Sequence, residues 1–257
     1  MSRRTRIAPL VAIVGILAAA ACGSSSSSAG AKSFLRTQLA EGRYADVPAT
    51  AAPMYEAVID FPQPVGEEAP SAAGHTHPPG FLYGLTGVTR VNEDGGKHVD
   101  VGPGDTLFAP AFVHHFHSNP GPGPNDWLAF LVRPESVREQ PLPSPGAKVI
   151  VNSDDIPGLT AGATYLMRLD ELTIRPGGQS AAVKQGGPTV VYVLDGQVQF
   201  HQQSQSPRVL EWGKTALLPD GAVYQVQNPF KGQAKLLVMT VWKEGGPSDT
   251  PVSSASF

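Results

Sequence analysis

The chain has 257 residues, enough for one or two domains. Its 19 basic and 22 acidic residues nearly cancel, which excludes the strongly basic surface that a nucleic-acid partner requires. With 28 Gly, 25 Pro and 41% apolar residues the composition is globular and rich in turns, as in an all-β protein of short strands.

The N-terminus reads as a targeting segment. Arg3, Arg4 and Arg6 precede a run without polar side chains, Ile7 to Ala21. That run is short for a membrane span and has the length of a signal-peptide apolar region. It ends Ala19-Ala20-Ala21-Cys22-Gly23, which resembles a bacterial lipoprotein signal, with Ala19 where Leu is usual. In such signals the cysteine is lipidated and becomes the mature N-terminus. Cys22 is the only cysteine and so has no disulfide partner in the chain. The Gly/Ser-rich stretch after it is a flexible tether. The expectation is a signal over residues 1–22, lipidation at Cys22 and a tether over 23–45. The protein would be exported to the cell envelope, periplasmic or lipid-anchored to the outer face of the cytoplasmic membrane. Ser2-Arg3-Arg4 leaves the export route, general or twin-arginine, open. From Lys32 to Ala45 the apolar residues Phe34, Leu35 and Leu39 suggest a short helix or an extension of the tether.

Strands follow in order. Ala57 to Phe61 reads as a strand, and 62–74 as a Pro-rich loop. Next come His75 and His77, two residues apart, so that both point to one side if extended. Phe81 to Val91 is strand-like, Asn92 to Gly96 is a hairpin turn, and His98 to Val101 is another strand. After the Gly102-Pro103-Gly104-Asp105 turn, Thr106 to Pro110 is a strand. A second histidine segment holds His114, His115 and His117. Trp127 to Arg133 is apolar, and Pro134 to Gly146 is a Pro-rich linker. The two i, i+2 pairs could gather four imidazoles around one point, and imidazole suits several transition metals. His114 is expected to face away, and His98 and His201 to face solvent. Trp127, Trp212 and Trp242 are expected in the cores or between domains.

The second half repeats the first. Tyr192 falls on Tyr83, Gly196 on Gly87, Gly213 on Gly104, Pro219 on Pro110 and Asn228 on Asn119, all at one offset (192 − 83 = 109). A duplicated unit of about a hundred residues, made of short strands between Gly/Pro turns, suggests two jelly-roll-like barrels.

These features together resemble the cupin superfamily, in particular a bicupin. The family's first motif combines His-x-His, a glutamate and a strand ending in Gly. Its second, Pro-x-Gly-x-x-His-x-x-x-Asn, follows a Gly-Asp turn. His75, His77, Gly87, Gly104-Asp105, Pro110, His115 and Asn119 match, whereas Phe112 stands where Gly is usual. The resemblance implies an all-β fold of two tandem cupin double-stranded β-helix (jelly-roll) barrels. The N-terminal barrel would span 46–145 and the C-terminal one 146–245, with a tail over 246–257.

The resemblance also implies one divalent metal ion (Fe, Mn, Ni, Cu or Zn) in the first barrel. The family's glutamate is missing, since no Asp or Glu occurs between His77 and Glu93. The implied ligands are His75, His77 and His115, as in three-histidine cupins. Neutral ligands leave the metal its full charge and favour an anionic or polar molecule. His117 should also face inward, as a catalytic general base, a fourth ligand or a lining ring held by a backbone carbonyl. At the offset of 109 the ligands' counterparts are Lys184, Gly186 and Tyr224, so the second barrel is expected to be a structural or dimer-forming partner or a degenerate pocket. The implied function is a metal-dependent, dioxygenase-like enzyme on a small molecule. The alternative is an envelope lipoprotein that binds metal or a small ligand without turnover. The implied partners are that small molecule, the membrane and a second copy, but not nucleic acid.

Overall fold

The computed structural model describes residues 33–253, apart from 46, 49–52, 66–73, 143, 145, 156–158 and 160. The signal-like segment and Cys22 lie outside these residues. The described chain forms four stacked β layers.

The first barrel contains β2 (Met54–Gln63), β3 (Gly80–Thr86), β4 (Thr89–Glu93), β5 (His98–Val101), β6 (Thr106–Ala109), β7 (His115–Ser118) and β8 (Asn125–Pro134). Its outer sheet runs β5-β4-β7. Its inner sheet runs β6-β3-β8-β2 and ends on β9 (Lys148–Asp155). The second barrel contains β10 (Tyr165–Ile174), β11 (Val183–Gln185), β12 (Thr189–Asp195), β13 (Gln197–Gln202), β14 (Arg208–Glu211), β15 (Thr215–Leu218), β16 (Val223–Gln227), β17 (Ala234–Lys243) and β18 (Asp249–Pro251). Its outer sheet runs β14-β13-β16-β11-β18. Its inner sheet runs β10-β17-β12-β15 and begins on β1 (Phe34–Tyr44).

The repeat is structural as well as sequential. Strands β3, β6 and β8 begin at 80, 106 and 125, and β12, β15 and β17 begin at 189, 215 and 234, each 109 positions later. The two inner sheets pack against each other through Phe81, Phe130, Val190, Leu237 and Met239, among others. Both faces of these sheets are therefore covered. That explains why β8 and β17 read as unbroken apolar runs instead of alternating ones. The outer strands β5 and β14 keep a single buried residue each, Val101 and Leu210.

The repeated asparagines do the same work in both units. Asn119 Nδ2 donates to the carbonyls of Gln63, Pro64 and Gly123, and its Oδ1 accepts from Gly121 N–H. Asn228 Nδ2 donates to the carbonyls of Ile174 and Gly232, and its Oδ1 accepts from Phe230 N–H. Each ties a loop that would otherwise leave buried backbone groups unpaired.

Five expectations are corrected. The tether expected over 23–45 contains β1 at residues 34–44. This strand is neither helix nor linker, because β10 offers it a complete antiparallel ladder. The boundary expected at 146 is crossed as well. Strand β9 lies beyond it in sequence but pairs with β2 of the first barrel. The two barrels thus exchange edge strands. The tail expected over 246–257 contributes β18, which pairs with β11. Trp212 is also not a core residue. It sits in the turn after β14, 71% exposed, whereas Trp127 and Trp242 are buried as expected. His98 is exposed as expected, but His201 is half-buried.

Candidate metal centre

The first histidine segment is held against β7 by two backbone hydrogen bonds. His75 N–H donates to His115 O (2.8 Å), and His115 N–H donates to His75 O (3.1 Å). Residues paired in this way point to the same face. Gly74 makes the approach possible. Its φ is +69°, and a Cβ there would come within 2.5 Å of the His114 ring. The i, i+2 spacing then brings His77 and His117 to the same face.

His75, His77 and His115 converge, each offering a ring nitrogen within 4.8 Å of the others'. His115 Nδ1 donates to Val113 O (2.8 Å), and His77 Nδ1 donates to Pro78 O. A carbonyl can only accept, so both rings carry their proton on Nδ1 and leave Nε2 bare. His115 Nε2 and His75 Nδ1 are buried without a hydrogen-bond partner. Burial pushes His75 and His77 down to about 4, with the neighbouring imidazoles as a smaller cause, so both are neutral at ordinary pH. Converging ring nitrogens, two of them on rings fixed at the far side by backbone carbonyls, fit a transition-metal ion.

His117 faces the same cluster but is not one of the three converging ligands. Its ring lies 5.1 Å from His115 and packs edge-on to Trp127 at 4.7 Å. Its Nε2 is buried and unpartnered. Burial, then the surrounding imidazoles, hold it well below the usual histidine value. His114 points away, as expected, and its Nδ1 bonds Asp94 at 2.9 Å. Glu93 stands opposite His115 in the β4–β7 pairing but does not join the converging group.

His75, His77 and His117 line a cavity of about 400 Å³. Its walls are Ile59, Leu82, Leu131 and a stacked pair, Phe61 and Trp127 (4.4 Å between centroids, 13° apart). Two lining residues were not read as site residues from the sequence. Phe112 is non-glycine at φ 59° and lies at the cavity edge. Its missing glycine was the available signal. Arg133, at the end of β8, carries the only charged side chain among the described lining residues, the histidines being neutral. Its charge also acts against protonation of His77. Nothing in its flanking sequence marks it as a pocket residue.

Among the described residues, the second barrel has no such converging cluster. Val183 pairs with Tyr224 as His75 pairs with His115. Val183 and Gln185, not Lys184 and Gly186, therefore take the places of His75 and His77. The offset slips by one because the second unit has an extra residue before β12. Gly186 and Gly187 absorb it, each with a carbonyl 1.9 Å from where a Cβ would stand. Lys184 points outward. Tyr224 is buried, stacks on Phe200 and is pushed up to about 12 by burial. Arg36 and Arg168 both pair with Asp170 and Asp249 at 2.6 to 3.0 Å.

The cupin domain profile matches residues 62–131. Among curated proteins, none matches the sequence. Several solved structures are similar in fold. An oxalate decarboxylase from Lactobacillus farciminis, solved as a formate complex, aligns with a TM-score of 0.55 and 13% identity over 85% of this chain and 88% of its own. A second oxalate decarboxylase aligns at 0.52 and 13%, over 78% and 72%. AerE from Microcystis aeruginosa aligns at 0.50 and 15%, over 74% and 88%. At these identities the likeness is one of architecture. The domain match, the layer order and the structural relatives make this chain an all-β protein of two tandem cupin barrels, with a convergent histidine cluster in the first.

Proposed function

We propose that the protein is an exported, lipid-anchored metalloenzyme of dioxygenase-like type, acting on a small molecule in its first barrel. The observation that carries the reading is the convergence of His75, His77 and His115 beside a cavity of ligand size, with His75 Nδ1 and His115 Nε2 buried and unpaired. One divalent metal ion would be held by these three residues and would supply Lewis-acid or redox chemistry.

The chain's own groups set the rest. His115 and His77 are kept in one tautomer by Val113 and Pro78. His117 is neutral and unpartnered at Nε2, so it can take a proton from a bound molecule as general base. Phe61 and Trp127 exclude water from the far wall and orient an apolar body. Export and anchoring rest on residues 1–22 and on Cys22, followed by its Ser-rich tether. The second barrel is structural, since its counterpart positions hold Val183, Gln185 and Tyr224.

The test is metal analysis of the purified protein, followed by oxygen uptake with catechol, flavonol, thiol and keto-acid substrates. One metal per chain, lost in a His75→Ala/His77→Ala double variant, supports the site. Absence of metal in protein from metal-replete cells removes both the site and the enzyme. Metal without turnover on any substrate class leaves a binding protein.

A further inference from the structure

The two barrels treat cations at the same end in opposite ways. In the second barrel, Asp170 lies opposite Val238, and in the first, Ile59 lies opposite Ala129. Val238 and Ala129 are 109 positions apart, so Ile59 stands where Asp170 stands. Asp170 is buried and, together with Asp249, neutralises Arg36 and Arg168. The first barrel replaces that carboxylate with an isoleucine of the cavity wall, yet still brings a guanidinium into the cavity.

That guanidinium belongs to Arg133, which is half-buried and forms no ion pair among the described residues. Its guanidinium lies 5.9 Å from the centre of the Tyr55 ring. The acid two residues on is already engaged. Glu135 bonds Arg138 at 2.6 Å, and Arg138 itself is shared with Asp155 and Ser153 O. Among the described residues, the cavity wall contains no carboxylate. A half-buried guanidinium facing an apolar cavity without a counter-anion is costly unless a ligand supplies one.

We infer that Arg133 is the carboxylate anchor of this cavity, and that its ligand is a small aromatic carboxylate. The carboxylate pairs with the guanidinium fork, and the ring lies among Phe61, Trp127 and Ile59. The volume of about 400 Å³ admits a single substituted ring. The inference rests on reading the cavity as the substrate pocket and names the substrate class.

The test is calorimetric titration of the full chain, metal-free and zinc-loaded, with benzoate and with its neutral analogue benzamide. Benzoate is expected to bind, and benzamide to bind at least about tenfold more weakly. Arg133→Gln is expected to weaken benzoate roughly 10- to 100-fold, with zinc content and melting temperature unchanged. Arg133→Lys, which keeps the charge but not the fork, recovers part of the affinity. No benzoate binding by the native chain overturns the inference. So does equal affinity for the two probes, or unchanged affinity in a folded Arg133→Gln protein. Failure of the native chain to take up zinc strikes the metal reading instead, and the Arg133 comparison is still decided on the metal-free protein.

Discussion

Phe112 and Gly221 occupy the same position of the two barrels, 109 residues apart, and both have a left-handed backbone, at φ 59° and 77°. Glycine adopts this conformation freely, whereas a bulky side chain is strained there. Phe112 is 48% exposed, so its burial returns little of that cost. Phe112→Gly is expected to raise stability by about 0.5–1 kcal/mol despite the added freedom of the unfolded chain. Phe112→Val, β-branched at positive φ, should lower it by about 1 kcal/mol or more. Urea unfolding of the three proteins checks the order. Retention of Phe112 against this strain is accounted for by its place at the edge of the cavity.

Acid should loosen the metal-free protein through the histidines. Folded His75 and His77 titrate at about 4, against an ordinary 6.5. The unfolded chain therefore takes up protons that the folded one refuses. The contribution of these two histidines is full above 6.5, falls as the pH drops from 6.5 to about 4, and changes little further below. Bound zinc should move this loss to lower pH, because protons must then displace the metal. Melting temperatures across this range, with and without zinc, measure both effects. The His75→Ala/His77→Ala protein should show a flatter profile.

Alkali acts through a different group. Glu56 faces the inter-barrel side of β2, is 1% exposed, and is pushed up to about 8 by burial. The folded chain retains a proton that the unfolded chain releases near 4.5. Its contribution is complete below 4.5 and is lost as the pH rises through about 8. Asp126, raised to about 7 by burial and then by Asp60, works in the same direction. Glu56→Gln should remove most of the alkaline slope and stabilise the protein above pH 8 by roughly 3 kcal/mol. Denaturant titrations at pH 6 and 9 test this.

The Arg36, Arg168, Asp170 and Asp249 network fills its barrel end with charges that compensate one another. Removing the most buried member strands the others. Asp170→Ala is expected to cost about 3 kcal/mol by urea unfolding, far more than an exposed pair such as Arg43 with Glu244. The histidine cluster lies in the other barrel, so metal content should be unaffected.

The sequence carried the fold well where one residue dictates one local geometry. The turn glycines, the loop-tying asparagines and the i, i+2 histidines could be read directly, and with them the duplication and the three converging rings. Pairing across the chain could not. Nothing local in Phe34 to Tyr44 says that its ladder partner is β10, since any open edge would satisfy its backbone. The single-residue slip at Gly186-Gly187 was equally hidden, because an inserted glycine leaves no trace in polarity. Arg133 escaped notice for a related reason. Its meaning depends on what is absent around it, and an absent counter-charge is a property of the folded cavity.

The exchange of β1 and β9 has a genetic consequence. The segment that was copied and the segment that folds are different stretches of the chain. A gene fragment cut at the repeat boundary would encode a first barrel without its β9 edge and a second without β1, each with an open row of backbone donors and acceptors. The halves are therefore locked together as one inheritable object. Either could diverge in its interior, as the different residues at the histidine positions of the two barrels show, but neither could be shed or shuffled alone.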